Sequence, residues 1–430
     1  MDRRDFLKTS LSSVGLLALG SPGLSAVGKD VLQVGKPWPG WSKGQFQVHF
    51  IYTGVAESMF FIFPDGTTML LDCGDHDAAS RSEKAVPILP HSLRHAGEWI
   101  ARYVQRVNPR GSEVDYVMLS HYHKDHAGCE SFDAGQEIWN GEPYHLSGLA
   151  QAGKYLSFGR AIDRAWPGFD DPLPLGTPDD QGTLSLVKKF YERISREQGT
   201  RIEKFRLGAT DQIRMLHDCE PYRDFQVRNI CANGRICGED GVVRDLYAEE
   251  IAREHLTSVS ENGMSLGVIV SYGPFRFFTA GDFSDTVRLA DGTRLRTENA
   301  LAEICGPANV AKINHHGHYS MPDKLVRALR SQVYVSCVWD TLHNVRKTME
   351  RLSDRSLYPE PRLICPGIFP PARQAADENE PWLKDVAQAS FGGGHVVLNV
   401  QRGGRRFSIS YLSAADESMT VRSVDYFKTR

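Results

Sequence analysis

Long apolar runs, excess charge of one sign and dense cysteine are all missing from this chain of 430 residues. Beyond the first 26 residues no stretch approaches the roughly 20 apolar residues of a membrane helix, so no span is expected in the mature chain. Lys and Arg number 50 against 53 Asp and Glu, a formal net charge of −3, and no basic tract stands out. Tight electrostatic binding of a long nucleic acid is therefore not supported. The cysteine count of 8 is too low for a disulfide scaffold in a chain of this length. No internal repeat is visible. A hydrophobic fraction of 41% suits a globular fold.

Against that background one run stands out. His121-Tyr122-His123-Lys124-Asp125-His126-Ala127-Gly128 follows the apolar residues 114–120. Three imidazoles and a carboxylate in one tight loop suit a metal: imidazole nitrogen is a favoured zinc ligand, and the carboxylate adds a hard oxygen and negative charge. A solvated polar turn is the competing reading, and the buried strand ahead of the loop argues against it. His121 and His123, two apart in an extended segment, point to one side and can grip one ion. The chain turns at Ala127-Gly128, which aims Asp125 and His126 at a second ion. Two nearby divalent ions need a bridging carboxylate or hydroxide. Asp282, ending the apolar Phe277-Phe278-Thr279-Ala280-Gly281, supplies a candidate. A third strand, from Val310 to Ile313, ends in Asn314-His315-His316-Gly317-His318. Three strand ends with ligand-type residues converge naturally at one sheet edge, where α/β and sandwich enzymes build their sites.

These residues resemble the metallo-β-lactamase-fold hydrolases. The family's H-x-H-x-D-H box matches His121, His123, Asp125 and His126, its bridging aspartate matches Asp282, and its last histidine matches His315 or His316. Met69-Leu70-Leu71-Asp72-Cys73-Gly74 matches a strand ending in Asp-x-Gly, which implies that Asp72 orients a ligand or a metal-bound water. One branch is more similar still: the hydrolase domain attached to bacterial DNA-uptake channels, with its stand-alone relatives. Its glycine-rich opening corresponds to Tyr52-Thr53-Gly54-Val55-Ala56-Glu57-Ser58, and its Asn-x-x-Ser-Leu to Asn262-Gly263-Met264-Ser265-Leu266. Its Lys-x-x-His-His-Gly corresponds to Lys312 through Gly317, and its late histidine to His343, which implies a substrate contact or a proton donor to the leaving group. The resemblance spans about residues 45–360. It implies an α/β, αββα sandwich with a long insertion over 130–259, and beyond it residues 361–430 read from their own turn and apolar pattern as a C-terminal β-hairpin extension packed on the same domain. One departure concerns the first metal. The family's usual third histidine is absent from Ser260-Glu261-Asn262-Gly263-Met264, which leaves Asn262 or Glu261 as stand-ins and His217 and His255 as further candidates.

Elsewhere, Arg3-Arg4 precedes the short apolar residues 11–19 and then Ser21-Pro22-Gly23-Leu24-Ser25-Ala26. This is the pattern of a twin-arginine signal peptide over residues 1–26, with export to the periplasm or outside by the twin-arginine machinery. Cys231 and Cys237 flank an Asn-Gly hairpin signal and are candidates for a bridge. Trp166 and Phe169, in a turn-rich stretch, either line a pocket or anchor their loop.

Two metals, zinc in the first place with manganese or iron as alternatives, would bring a bridging water toward neutral pKa and provide a hydroxide nucleophile. The expectation is an exported metal-dependent hydrolase of a small-molecule substrate. A phosphodiester or phosphoester is favoured because the resembling branch leans that way, with Asp125 and His343 assisting catalysis. A lactonase, thioesterase or β-lactamase, an iron-dependent redox protein, and a non-catalytic binding module stand as alternatives on the same fold.

Overall fold

Along Gly267–Tyr272, Val268 and Val270 join one hydrophobic core while Ile269, between them, joins another. Phe277 and Phe278 of Phe275–Thr279 divide the same way. Strands apolar on both faces must be covered on both, here by a second sheet on one side and helices on the other. The computed structural model describes residues 32–76, 85–132, 135–175 and 177–430, so the expected signal segment lies outside the described residues. Val34–Arg430 form one compact unit.

In chain order the strands are β1 (Phe46–Phe50), β2 (Met59–Ile62), β3 (Thr68–Leu71), β4 (Glu113–Met118), β5 (Gln136–Trp139), β6 (Glu142–His145), β7 (Ser157–Asp163), β8 (Arg201–Lys204), β9 (Phe225–Ala232) and β10 (Arg235–Cys237). There follow β11 (Val243–Asp245), β12 (Gly267–Tyr272), β13 (Phe275–Thr279), β14 (Val310–Lys312), β15 (Val333–Ser336), β16 (Leu363–Pro366), β17 (His395–Val400), β18 (Arg406–Leu412) and β19 (Val421–Lys428). The helices are α1 (Ala96–Val107), α2 (Lys124–Ala127), α3 (Gly148–Ala152), α4 (Pro178–Gln198), α5 (Ala248–Ala252), α6 (Thr297–Cys305), α7 (Asp323–Leu329), α8 (Arg346–Ser353) and α9 (Pro371–Gln374).

One sheet has the order β19-β18-β17-β1-β2-β3-β4-β7-β8, the other β11-β10-β9-β12-β13-β14-β15-β16. Their inner faces share the main core, in which Phe46, Phe61 and Met118 meet Val268, Phe277 and Val335. Helix α1 covers the outer face of the first sheet, where His49 Nδ1 meets the Tyr103 hydroxyl at 2.9 Å. Helices α6, α7 and α8 cover the outer face of the second through Leu301, Leu325 and Met349. The result is an αββα sandwich.

The C-terminal hairpin is β17–β18, packed on the same domain as an addition to the β1 edge of the first sheet. Strand β17 pairs antiparallel with β1 along Phe46↔Val400, and β19 extends the same sheet by one more strand. The span 130–259 likewise supplies β7 and β8 to the first sheet and β9 to the second. The Asn-Gly turn is present, with Asn233 and Gly234 both at positive φ (53° and 72°). The bridge expected across it is not: Cys231 lies opposite Ile236, so Cys237 is one register step away, and all eight cysteines are free. Trp166 packs edge-on to Phe169 and Tyr191, anchoring its loop.

Candidate metal centre

The site lies where four strands end. Asp72 follows β3, residues 119–126 follow β4, Asp282 follows β13 through Gly281 (φ 53°), and His316 follows β14. Close approach of the first two ends requires glycine at 74, because a Cβ there would sit 1.7 Å from the Asp125 carbonyl oxygen. His315 and His316 both adopt positive φ (47° and 48°), an unusual conformation for a side-chain-bearing residue and one that clusters at functional sites.

The hydrogen bonds decide which ring nitrogens are bare. The Ser120 hydroxyl donates to Asp72 Oδ2 at 2.7 Å, so its oxygen accepts from His121 Nδ1 at 3.0 Å and leaves His121 Nε2 without a proton. Asp72 Oδ2 also takes the His126 Nδ1 proton at 2.8 Å, and His126 Nε2 is buried with no hydrogen-bond partner. The Cys337 carbonyl accepts from His316 Nδ1 at 3.1 Å, with Glu57 Oε2 at 3.2 Å from the same nitrogen. Asp180 Oδ1 lies 3.4 Å from His123 Nε2, which turns His123 Nδ1 toward His121 Nε2 at 3.0 Å.

Two groups of acceptors result. One is the His121 Nε2 and His123 Nδ1 pair. In the other, Asp282 Oδ2 lies 3.3 Å from both His126 Nε2 and His316 Nε2, and Asp125 Oδ2 lies 3.1 Å from His316 Nε2 and 3.7 Å from His126 Nε2. The groups adjoin, with the His121 and His126 rings 4.2 Å apart between centroids. Lone pairs facing lone pairs in a buried site repel unless a cation sits among them, and imidazole with carboxylate suits a divalent transition metal. The electrostatics say the same. Burial would lower His316, but Asp282 and Asp125 outweigh it and raise its pKa to about 10. Burial is likewise overcome at His126, which its carboxylate neighbours hold well above the ordinary imidazole value. Burial would raise Asp282, yet His316, His126 and Lys312 keep it well below the usual carboxylate range. The carboxylates demand positive charge, and the donor set fits a metal.

The sequence profile of the metallo-beta-lactamase superfamily matches residues 52–129, from Tyr52 through the histidine loop. Those residues carry the metallo-β-lactamase superfamily signature. Among solved structures it is similar to a mutant of CmlA beta-hydroxylase, at 12% identity and a TM-score of 0.36, over 75% of this chain and 52% of that one. It is also similar to a provisionally named metal-dependent hydrolase from Parabacteroides distasonis, at 10% identity and a TM-score of 0.29, over 72% of this chain and 89% of that one. The chain thus spans about half the length of the CmlA chain. No curated protein matches.

The structure brings His121, His123, Asp125, His126, Asp282 and His316 together. It separates His315, whose Nε2 accepts from Asn262 Nδ2 at 3.1 Å and whose Nδ1 faces Ser284 Oγ at 3.4 Å. Of the two stand-ins for the missing histidine, Glu261 is excluded. Its carboxylate forms a buried pair with Arg164 (Oε1 to Nη2, 2.5 Å) and accepts the Tyr122 amide at 2.9 Å. Asn262 keeps a buried Oδ1 with no partner. His217 pairs with Asp115 and His255 with Glu250, both outside the centre. His343 stacks on the His316 ring at 4.6 Å and 17°. Burial, with His316 beside it, keeps its pKa well below the ordinary value.

Four contributors, Glu57, Lys312, Trp339 and Asp180, were given no role at the centre from the sequence. Glu57 offers a carboxylate oxygen within 4.8 Å of the donors from His126, Asp282 and His316. It also pairs with Lys312 Nζ at 2.9 Å, and Lys312 reaches Asp282 at 3.4 Å. Trp339 Nε1 donates to Asp125 Oδ2 at 3.2 Å. The available signal was a lone acid amid the apolar residues 46–62 and a lone cation within β14, because a charge placed in a buried strand needs a partner. Asp180 carries no such mark, since it sits in the first turn of α4, where acids are ordinary.

Proposed function

We propose that this protein is an exported metal-dependent hydrolase acting on a small phosphodiester or phosphoester. The observation that carries the hydrolase reading is the pair of adjoining acceptor groups, six donors in all, two of whose residues, His123 and Asp125, border an open cavity of about 630 Å³. Export is supported by the Arg3-Arg4 pattern and the short apolar stretch behind it. The phosphoester preference is supported by the order of the five motifs shared with the DNA-uptake-channel branch.

A bound pair of divalent ions supplies an activated water and a Lewis acid for the developing negative charge. The chain's own residues do the rest. Asp72 sets the tautomers of His126 directly and of His121 through Ser120. Asp180 orients His123, and Glu57 and the Cys337 carbonyl orient His316. Fixed in this way, the ligands need no rearrangement as charge develops.

The test is elemental analysis of the mature protein with turnover of bis(p-nitrophenyl) phosphate. About two zinc or manganese ions per chain and turnover lost in His123→Ala are the expected result. Two such ions without phosphoester turnover would move the substrate to lactones, thioesters or lactams. Iron would favour redox chemistry, and a chain that binds no metal would end the reading.

A further inference from the structure

The loop after β15, residues 339–345, contributes none of the six donors yet touches two of the residues that do. The Asn344 amide donates to the His316 carbonyl at 2.8 Å and the Val345 amide to the Gly317 carbonyl at 3.1 Å, so the loop runs beside the turn that carries His316. The His343 ring stacks on the His316 ring at 4.6 Å. At the start of the loop, the Trp339 indole N–H donates to Asp125 Oδ2 at 3.2 Å. Asp125 lies beyond β4 of the first sheet and Trp339 beyond β15 of the second, so this hydrogen bond crosses from one sheet's loops to the other's.

The oxygen that accepts it decides its meaning. Oδ2 is the Asp125 oxygen that faces the second acceptor group, 3.1 Å from His316 Nε2 and 3.7 Å from His126 Nε2. The terminal torsion of an aspartate is soft, so a carboxylate swings unless a donor fixes it. A donor on Oδ2 sets that rotation and draws off part of the oxygen's charge, which is how an outer hydrogen bond tunes a ligating carboxylate. The indole is held in turn. It meets the His343 ring edge-on at 4.6 Å and the His76 ring at 5.2 Å. Behind it the C-terminal extension anchors the loop: Arg373 of α9 donates to the His343 carbonyl at 3.0 Å and the Asn344 carbonyl at 2.6 Å, and Asp377 accepts from its Nε at 2.9 Å.

We propose that Trp339 is a positioning residue for the ion of the second group, Asp125, His126, Asp282 and His316, and that Arg373 keeps its loop in place. The inference rests on the metal-centre reading above and is independent of the substrate.

The experiment titrates the metal-free full chain with Co2+, reading affinity by competition with a chelating dye and the ligand field by the visible absorption bands. Trp339→Phe keeps an aromatic ring and removes the N–H. The expected result is one ion weakened by about 10-fold or more with shifted bands, the other ion unchanged, and a metal-free melting temperature close to that of the wild type. The same band shift between His123→Ala and the double variant assigns the affected ion to the second group. Unaltered affinity and bands overturn the proposal, and so does equal weakening of both ions, the mark of a merely structural role. If Trp339→Phe does not fold, Arg373→Met carries the test, because it frees the loop and leaves the indole in the chain; the same selective loss is expected, and an unaltered second ion overturns the proposal. A wild-type chain that takes up no Co2+ ends the metal reading itself, and this inference falls with it.

Discussion

His121 Nε2 and His123 Nδ1 stand 3.0 Å apart, a separation that either a shared proton or a bound metal ion accounts for. Asp180, 3.4 Å from the far nitrogen of His123, keeps the ring in the orientation that aims Nδ1 inward. Carboxylates that orient metal-bound histidines typically contribute 10- to 100-fold to affinity. Asp180→Asn should therefore weaken the ion held by His121 and His123 by at least about 10-fold while leaving the metal-free melting temperature nearly unchanged. Competition with a chelating dye measures it, and an unaltered affinity would remove Asp180 from any positioning role. Glu57 and Lys312 act at the same scale from the other side. Each is fully buried and lies within ion-pair distance of the other and of the groups around His316 and Asp282, although neither Glu57 oxygen has a hydrogen-bond partner.

At the scale of elements, the histidine loop is clamped from beneath. The Tyr122 amide, between two ligands, donates to Glu261, the Arg164 guanidinium lies over the Tyr122 ring at 4.2 Å, and the Tyr122 hydroxyl donates to Asp163 at the end of β7. Helix α4 packs closely there because Gly182 lacks a Cβ, which would sit 3.0 Å from Cys129 Sγ. On the second sheet, α6 buries Glu298, whose Oε1 accepts from Asn314 and Met321 while Oε2 has no partner. Burial, with Asp285 nearby, raises its pKa to about 8. The folded state thus favours the neutral acid. Its contribution is complete below about pH 4.5 and is lost as pH rises toward 8, at up to about 1.4 kcal/mol per pH unit. Glu298→Gln should hold its stability across pH 5 to 8 while the wild type declines relative to it. Parallel melting curves for the two proteins over that range would contradict this.

At the scale of the whole molecule, the centre joins two sheets. His121, His123, Asp125 and His126 come from the first, Asp282 and His316 from the second, and the core between them contains Phe61, Met118, Phe277 and Val335. Metal binding and sheet docking are therefore coupled. A metal present at about 1,000 times its Kd should add about 4 kcal/mol to stability, visible as a melting temperature that falls on chelation and recovers on readdition. A melting temperature indifferent to the metal would show that the ligands do not bridge the sheets. Phe277→Ala, which opens a cavity in the shared core, should cost about 3–5 kcal/mol and weaken metal binding together with stability. Denaturant titration with and without metal reads both.

The local sequence by itself determined the histidine loop, its strand and the later strand ends at Asp282 and at the His315-His316 pair. Periodicity and residue chemistry act over a few positions and need no partner to be read. Tertiary structure decided everything that depends on what a side chain meets. It chose His316 over His315 through the left-handed backbone at both residues, and it consigned Glu261 to Arg164, 97 residues away in sequence. It recruited Glu57, Lys312 and Asp180 to the centre from three separate elements. It also made β17 the neighbour of β1, with β18 beyond it, because β1 needed a partner on its second edge and the C-terminal hairpin supplied one. A charge or an edge strand states its need in sequence, but only the folded chain names the group that meets it.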